Sequence, residues 1–195
     1  LDDEQVGEEV YISMADKAEK YCWFMTPYLI ITDEMAHALT LAAKRGVDVR
    51  IITPGIPDKK LVYNVTRSFY HELVKVRIYE WTPGFCHAKM SVADDCMATC
   101  GTINLDYRSL YHHFENGCFM ADCDAVQDIR NDLYETMKES ALKASGLNEK
   151  MEEMAQTAGL AGRAGERAVI ESLEIPDQIK KLLIENNNGE IYQEM

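Results

Sequence analysis

The sequence lacks any apolar run long enough to cross a bilayer, which takes about 20 consecutive residues. Its start, Leu1-Asp2-Asp3-Glu4, is acidic where a secretory leader would be basic and then apolar. The chain is therefore expected to be soluble or peripheral by itself. Its six cysteines (Cys22, Cys86, Cys96, Cys100, Cys118 and Cys123) contain no C-x-x-C and none of the spacings of zinc sites, so no metal is expected. Most fall in apolar, strand-like runs and read as buried or semi-buried free thiols of a reducing cytoplasm. Cys86 alone adjoins a histidine, His87, and is the thiol expected to be oxidation-sensitive. Positive charge is also scarce, with a formal net charge of −13. That balance argues against broad duplex binding, which needs many phosphate contacts, and no nucleic-acid partner is expected.

What is present suffices for one good core. With 195 residues and 47% hydrophobic content, a domain over residues 1–145 is expected, followed by a helical, partly disordered extension over 146–195 of unknown role. Between Lys44 and Lys89 the charge balance reverses, with nine basic residues against four acidic ones, enough for one or two phosphodiesters. The order of elements reads as α/β. A helix is expected from Val6 to Lys20, then a strand over Tyr21–Thr26 whose aromatic run belongs in a core. A helix capped at Thr32 or Asp33 follows, ending near Lys44 and Gly46, then a strand over Val47–Thr53. A helix from Lys59 to about Leu73 should bury Leu61, Val65, Phe69 and Leu73. A strand over Val76–Glu80 follows, and later a turn or two of helix in Leu105–Tyr111. A strand over Glu115–Met120 and an amphipathic helix over Ala125–Ser140 close the domain. Such alternation gives a sheet flanked by helices, with ligands beyond the strand ends.

The stretch from His87 to Asn104 carries the chemistry. His87, Lys89 and Asp94 form H-x-K-x₄-D, and Gly101-Thr102-Ile103-Asn104 follows. In an extended strand His87, Lys89 and Ser91 share one face while Ala88, Met90 and Val92 enter a core. Asp94-Asp95 reads as a hairpin turn, Met97–Cys100 as the returning strand, and Gly101 as a tight exit. An imidazole beside an ammonium, with small hydrogen-bonding groups nearby, handles an anion. A phosphodiester repels nucleophiles, so Lys89 would supply charge, Asn104 an amide donor, and Thr102 a hydroxyl or backbone N–H near Gly101. A neutral His87 can attack phosphorus and form a phosphohistidine, with neither metal nor cofactor required.

This motif resembles the phospholipase D superfamily. Its flanks, Tyr79-Glu80-Trp81-Thr82-Pro83-Gly84-Phe85, Gly101 to Ser109 and Phe114-Glu115-Asn116, resemble bacterial cardiolipin synthase from about Val10 to about Ser140. The resemblance implies a phospholipase D-like mixed sheet flanked by helices. It implies phosphatidyl transfer through a phosphohistidine, making cardiolipin from two phosphatidylglycerol molecules, with His87, Lys89 and Asp94 catalytic. It implies that Glu115 stands behind the nucleophile. Asp94 in this family serves mainly structure and charge balance. Family members usually carry extra residues, including a glycine, in the turn before Tyr79, where this chain runs Leu73-Val74-Lys75-Val76.

Family members take their general acid, a second histidine, from a second motif. His37, His71 and the His112-His113 pair have no lysine two residues on. The chain is therefore expected to be a C-terminal half, completed by a missing N-terminal half or a second copy. Its partners would be phosphatidylglycerol or another phospholipid and a membrane surface. The expected location is the bacterial cytoplasmic membrane, reached peripherally or through a missing N-terminal segment, with the catalytic domain in the cytoplasm. Two other readings stay open: a homodimeric single-motif phosphodiesterase or nuclease, and a non-catalytic fragment. His112-His113 is either loop packing or a substrate contact, Lys59-Lys60 a solvated helix start or a headgroup contact. Asp106 and Arg108 either brace the loop after Asn104 or meet substrate.

Overall fold

The computed structural model describes residues 4–142. Every element expected up to Ser140 forms, with shifted ends; the extension expected over 146–195, and its boundary, lie outside the described residues. In chain order the elements are α1 (Val6–Lys17), β1 (Tyr21–Met25), β2 (Leu29–Ile30), α2 (Asp33–Lys44), β3 (Asp48–Pro54) and α3 (Lys60–Ser68). They continue with β4 (Arg77–Trp81), β5 (Met90–Ala93), β6 (Met97–Gly101), β7 (Leu105–Asp106), α4 (Tyr107–Tyr111), β8 (Gly117–Ala121), α5 (Asp124–Glu139) and β9 (Ala141–Leu142).

Seven strands form one mixed sheet in the order β8-β6-β5-β1-β3-β4-β9. β1, β3 and β4 run parallel, β5, β6 and β8 continue antiparallel on one side, and β9 pairs antiparallel on the other. β2 and β7 make a separate parallel pair. Helices cover both faces. Cys22 and Phe24 of β1 pack with Tyr11, Met14, Met35 and Leu39 of α1 and α2, whereas Trp23 and Met25 pack with Val126, Leu133 and Met137 of α5. A strand buried on both faces must be apolar throughout, which is why β1 reads YCWFM without alternation. Thr32 caps α2, its hydroxyl accepting from Met35 N–H at 3.2 Å.

Three expectations need correction. α3 ends at Ser68 in a 3₁₀ turn over Phe69–His71 and itself buries only Thr66; of the four residues expected inward, Leu73 is buried and Phe69 packs against the core, while Leu61 is 76% exposed. The helix lies over the sheet end, where Thr66 accepts a bond from Leu29 N–H, and not over an apolar face. In the shortened turn after Leu73, Lys75 takes φ +66°, the left-handed conformation that a glycine adopts without cost. Of the thiols only Cys22 is buried; Cys86 and Cys96 are half-buried, and Cys100, Cys118 and Cys123 are exposed. Part of the local basic excess is also spent on structure. Arg50 and Arg77 both pair with Asp48, and Arg67 pairs with Glu80 at 3.1 Å.

Candidate active site

The topology collects loops at one edge. There β1, β3 and β4 end, β5 begins, β6 ends and β8 begins, the end of an α/β sheet where ligands bind. Backbone bonds tie the loops together. Gly55 N–H donates to Trp81 O at 2.6 Å, Gly101 N–H to Lys89 O at 3.2 Å, and Leu105 N–H to the Thr26 hydroxyl at 3.0 Å.

His87 and Lys89 stand on the approach to β5, not within it, since residues 82–89 are irregular and the strand starts at Met90. Their alternation still holds. Ala88, Met90 and Val92 face the α5 layer, while Ser91, on the His87 and Lys89 side, is buried against Thr99 (2.6 Å between hydroxyls). The Lys89 ammonium donates to the carbonyl of His87 at 2.7 Å, which holds it beside the imidazole. The His87 ring stacks on Phe85 (5.7 Å, 12°) and meets the edge of Tyr28 (5.7 Å, 82°). Tyr28 in turn donates to Asp58 at 2.7 Å. Partial burial lowers the His87 pKa, the Lys89 and Lys59 charges lower it further, and Asp58 opposes them. The shift favours the neutral ring, the form a nucleophile requires. Burial also lowers the Lys89 pKa, against the pull of Glu115.

Opposite them lies the glycine loop. A Cβ on Gly101 would meet Asn116 O at 2.3 Å and Gly117 Cα at 2.7 Å, both backbone atoms, so only glycine fits. Thr102 N–H donates to Asn116 O at 2.8 Å, its hydroxyl accepts from Asn116 N–H at 2.9 Å and donates to Glu115. Glu115 lies 3.5 Å from His113 Nδ1, and His113 Nε2 lies 3.1 Å from an Arg108 nitrogen. Arg108 can only donate, so His113 accepts at Nε2 and carries its proton at Nδ1, toward Glu115. Among the described residues no hydrogen bond joins Glu115 to His87; the carboxylate orders Thr102 instead. Asn104 donates to Ser109 Oγ at 2.9 Å, leaving its own Oδ1 buried without a partner. Turning the amide over lets Oδ1 accept from the Ser109 hydroxyl.

Asp94 lies apart from this group. It sits at the far end of β5, about 15 Å along the chain from Lys89. Its carboxylate accepts from Glu19, Lys20 and Tyr21 N–H at 2.7, 2.9 and 2.8 Å. Asp94 and Asp95 both have positive φ and turn the chain within the three residues between Ala93 and Met97, where Cys96 N–H bonds Ala93 O at 3.1 Å. Asp106 likewise braces, accepting from Ser109 N–H at 2.7 Å. Sequence reading missed Tyr28, Phe85 and Asp58. Phe85 shares the alternation of His87 and could have been found; Tyr28 and Asp58 arrive only through the sheet order. Among the described residues no group of three or more His, Cys, Asp or Glu side chains is placed to hold a metal ion.

The family model described as cardiolipin synthase, PLD-like domain, matches residues 11–137. An uncharacterized protein of Streptococcus mutans is 55% identical over 142 residues, 72% of this chain and 31% of its own length. Cardiolipin synthase 2 of Bacillus cereus is 38% identical over 136 residues, 69% of this chain and 26% of its own. The chain thus spans between a quarter and a third of the length of these curated relatives. Among solved structures, the phospholipase D family member Nuc from Salmonella typhimurium matches with a TM-score of 0.61 at 16% identity, over 70% of this chain and 90% of its own. Phosphatidylserine synthase of Haemophilus influenzae gives 0.59 at 17%, over 94% and 44%. At such identities the likeness is one of fold, and it agrees with the mixed sheet described above. On these matches the chain belongs to the phospholipase D superfamily, within its cardiolipin synthase-like family.

Proposed function

We propose that this chain is one catalytic half of a phosphatidyltransferase that makes cardiolipin from two phosphatidylglycerol molecules at the bacterial cytoplasmic membrane. The observation that carries the reading is the Lys89 ammonium held on the His87 carbonyl at the strand ends, opposite the Gly101-Thr102 loop, with the His87 pKa lowered. The His87 imidazole attacks phosphorus, a P–N bond forms, and the P–O bond to glycerol breaks. Lys89, the Asn104 amide and Thr102 stabilise the charge that gathers on the phosphoryl oxygens. The hydroxyl of a second phosphatidylglycerol then displaces histidine. The proton for the departing glycerol alkoxide must come from a second half or a second copy of the chain.

A cavity of about 600 Å³ opens beside the glycine loop, with neither His87 nor Lys89 in its lining. It borders Gly101 and Glu115 and is walled by Val6, Val10, Ile103, Leu110 and Phe119. That apolar wall suits an acyl chain.

A p-nitrophenyl ester tests the half-site by itself, because p-nitrophenolate leaves without a proton. With phosphatidyl-p-nitrophenol the chain should release one p-nitrophenolate per site and carry the phosphatidyl group on His87, read by mass spectrometry after alkaline quench. His87→Ala should abolish both. An undiminished burst in that variant removes His87 as nucleophile. Preference for a nucleotide p-nitrophenyl ester, or water as the sole acceptor beside phosphatidylglycerol, moves the assignment to a phosphodiesterase.

A further inference from the structure

Cys100 of β6 and Cys118 of β8 stand directly opposite each other across the edge of the sheet. Thr102 N–H bonds Asn116 O at 2.8 Å, and Asp122 N–H bonds Cys96 O at 2.9 Å. Hydrogen-bonded pairs recur at every second residue of an antiparallel ladder, so Cys100 and Cys118 form one too. Their Cα atoms are then about 5.5 Å apart, within the span of a disulfide, and their Cβ atoms about 5.5 Å apart, so closing the bond draws the two strands together by about 1 Å. Side chains two residues apart share a face, and both Ala98 and Met120 face the α5 layer. The two thiols therefore project from the same side of the sheet, and both are exposed. Cys86 is occupied differently, 3.6 Å from Met25 Sδ.

Both cysteines border the candidate site along the chain. Gly101-Thr102 continues from Cys100, and Glu115-Asn116-Gly117 leads into Cys118. Among the described residues β8 is an outer strand, paired only with β6. Such an edge opens at lower free energy than the centre of a sheet. A covalent tie at residues 100 and 118 would fix the spacing of the two backbones that hold Thr102 against Asn116.

We propose that Cys100 and Cys118 form a reversible cross-strand disulfide that locks the strand ends carrying the phosphate-binding loop. The oxidant is a small-molecule disulfide. One cysteine thiolate attacks it and expels a small thiol, and the second cysteine then attacks the mixed disulfide and expels the other. The cysteines give up two protons and two electrons, and both pass to the small disulfide as two thiols. Exposed disulfides of this kind are the readily reduced, regulatory ones. Any effect on turnover rests on the phosphatidyl reading above, but the linkage does not.

The test treats the full chain with oxidised glutathione, followed by peptide mass spectrometry and amide hydrogen exchange. Cys123, exposed at the start of α5, reports whether the reagent reaches exposed thiols. The expected product is a linked peptide containing Cys100 and Cys118, lighter by two hydrogens, with slower exchange at the Thr102 and Cys118 amides. Cys118→Ser should leave Cys100 as a stable glutathione mixed disulfide. Separate glutathione adducts on Cys100 and Cys118 in the parent chain overturn the proposal. So does modification of Cys123 alone, or a linked peptide with unchanged exchange. Neither readout uses turnover, so a failed burst with phosphatidyl-p-nitrophenol leaves this test intact.

Discussion

At the scale of single residues, the site depends on the protonation of His87. Burial and the Lys89 and Lys59 charges hold its pKa below the ordinary value of about 6.5. The nucleophile is the neutral form, so adduct formation should fall only at pH below that lowered pKa and stay flat from there through neutrality. Lys89→Met removes one of the charges that disfavour the imidazolium. The His87 pKa, followed through its ring proton shift by NMR, should then rise toward 6.5, and the acid limb of adduct formation should move up with it. The same variant loses the cation at the phosphoryl oxygens and should slow the burst by about 10²–10³-fold. A lowered rate with an unmoved His87 titration would place the ammonium away from the ring. The identities of His87, Lys89 and Gly101 were legible in the sequence because a nucleophile, a cation and a close backbone approach allow few substitutes. The bond from Glu115 to Thr102 was not, since 13 residues separate them and only the β6–β8 register brings them together.

At the scale of elements, the β5–β6 hairpin divides its labour between its two ends. The turn end is structural: the Asp94 carboxylate fastens the start of β1 through three backbone N–H groups. Asp94→Ala should cost about 2–3 kcal/mol, read as a lower Tm, while the p-nitrophenolate burst per folded molecule stays at the parental level. A lost burst in folded protein would return Asp94 to the chemistry. The open end is where packing and function meet. Gly101→Ala drives a Cβ into the backbone of residues 116 and 117 and should part β6 from β8, costing about 1–3 kcal/mol. Circular dichroism melting checks the cost, and the burst should fall in the same variant because Thr102 moves with the strand. The sheet strands were readable as apolar runs because helices cover both faces. α3 was misread for a related reason. A helical period of apolar residues marks a face able to bury itself, yet Leu61 meets no covering element, and the period cannot say which face finds one.

At the scale of the whole molecule, the proposed reaction calls for a general acid, and the chain has one H-x-K. All five histidines lie within the described residues: His37 is on α2, His71 in the 3₁₀ turn, and His112 and His113 beyond α4. None of those four has a lysine two residues on. The nearest to the glycine loop, His113, is engaged by Arg108 and faces Glu115. The consequence is a dependence on leaving group that a complete site would not show. With p-nitrophenolate leaving, the chain alone should form its covalent adduct at a rate set by His87 and Lys89. With glycerol leaving, the alkoxide must take a proton as the P–O bond breaks, and the chain alone should fall by about 10²–10⁴-fold, the usual worth of a general acid. Rates measured over a series of phosphatidyl esters with leaving groups of rising pKa should therefore drop steeply. Adding a protein half that bears the second histidine should flatten the slope and restore the alkyl esters alone. Concentrating the chain does the same if a second copy is the partner, with a rate that climbs as the square of concentration. A flat series for the dilute, monomeric chain would mean that an acid is already present, and His113 would be the residue to change first.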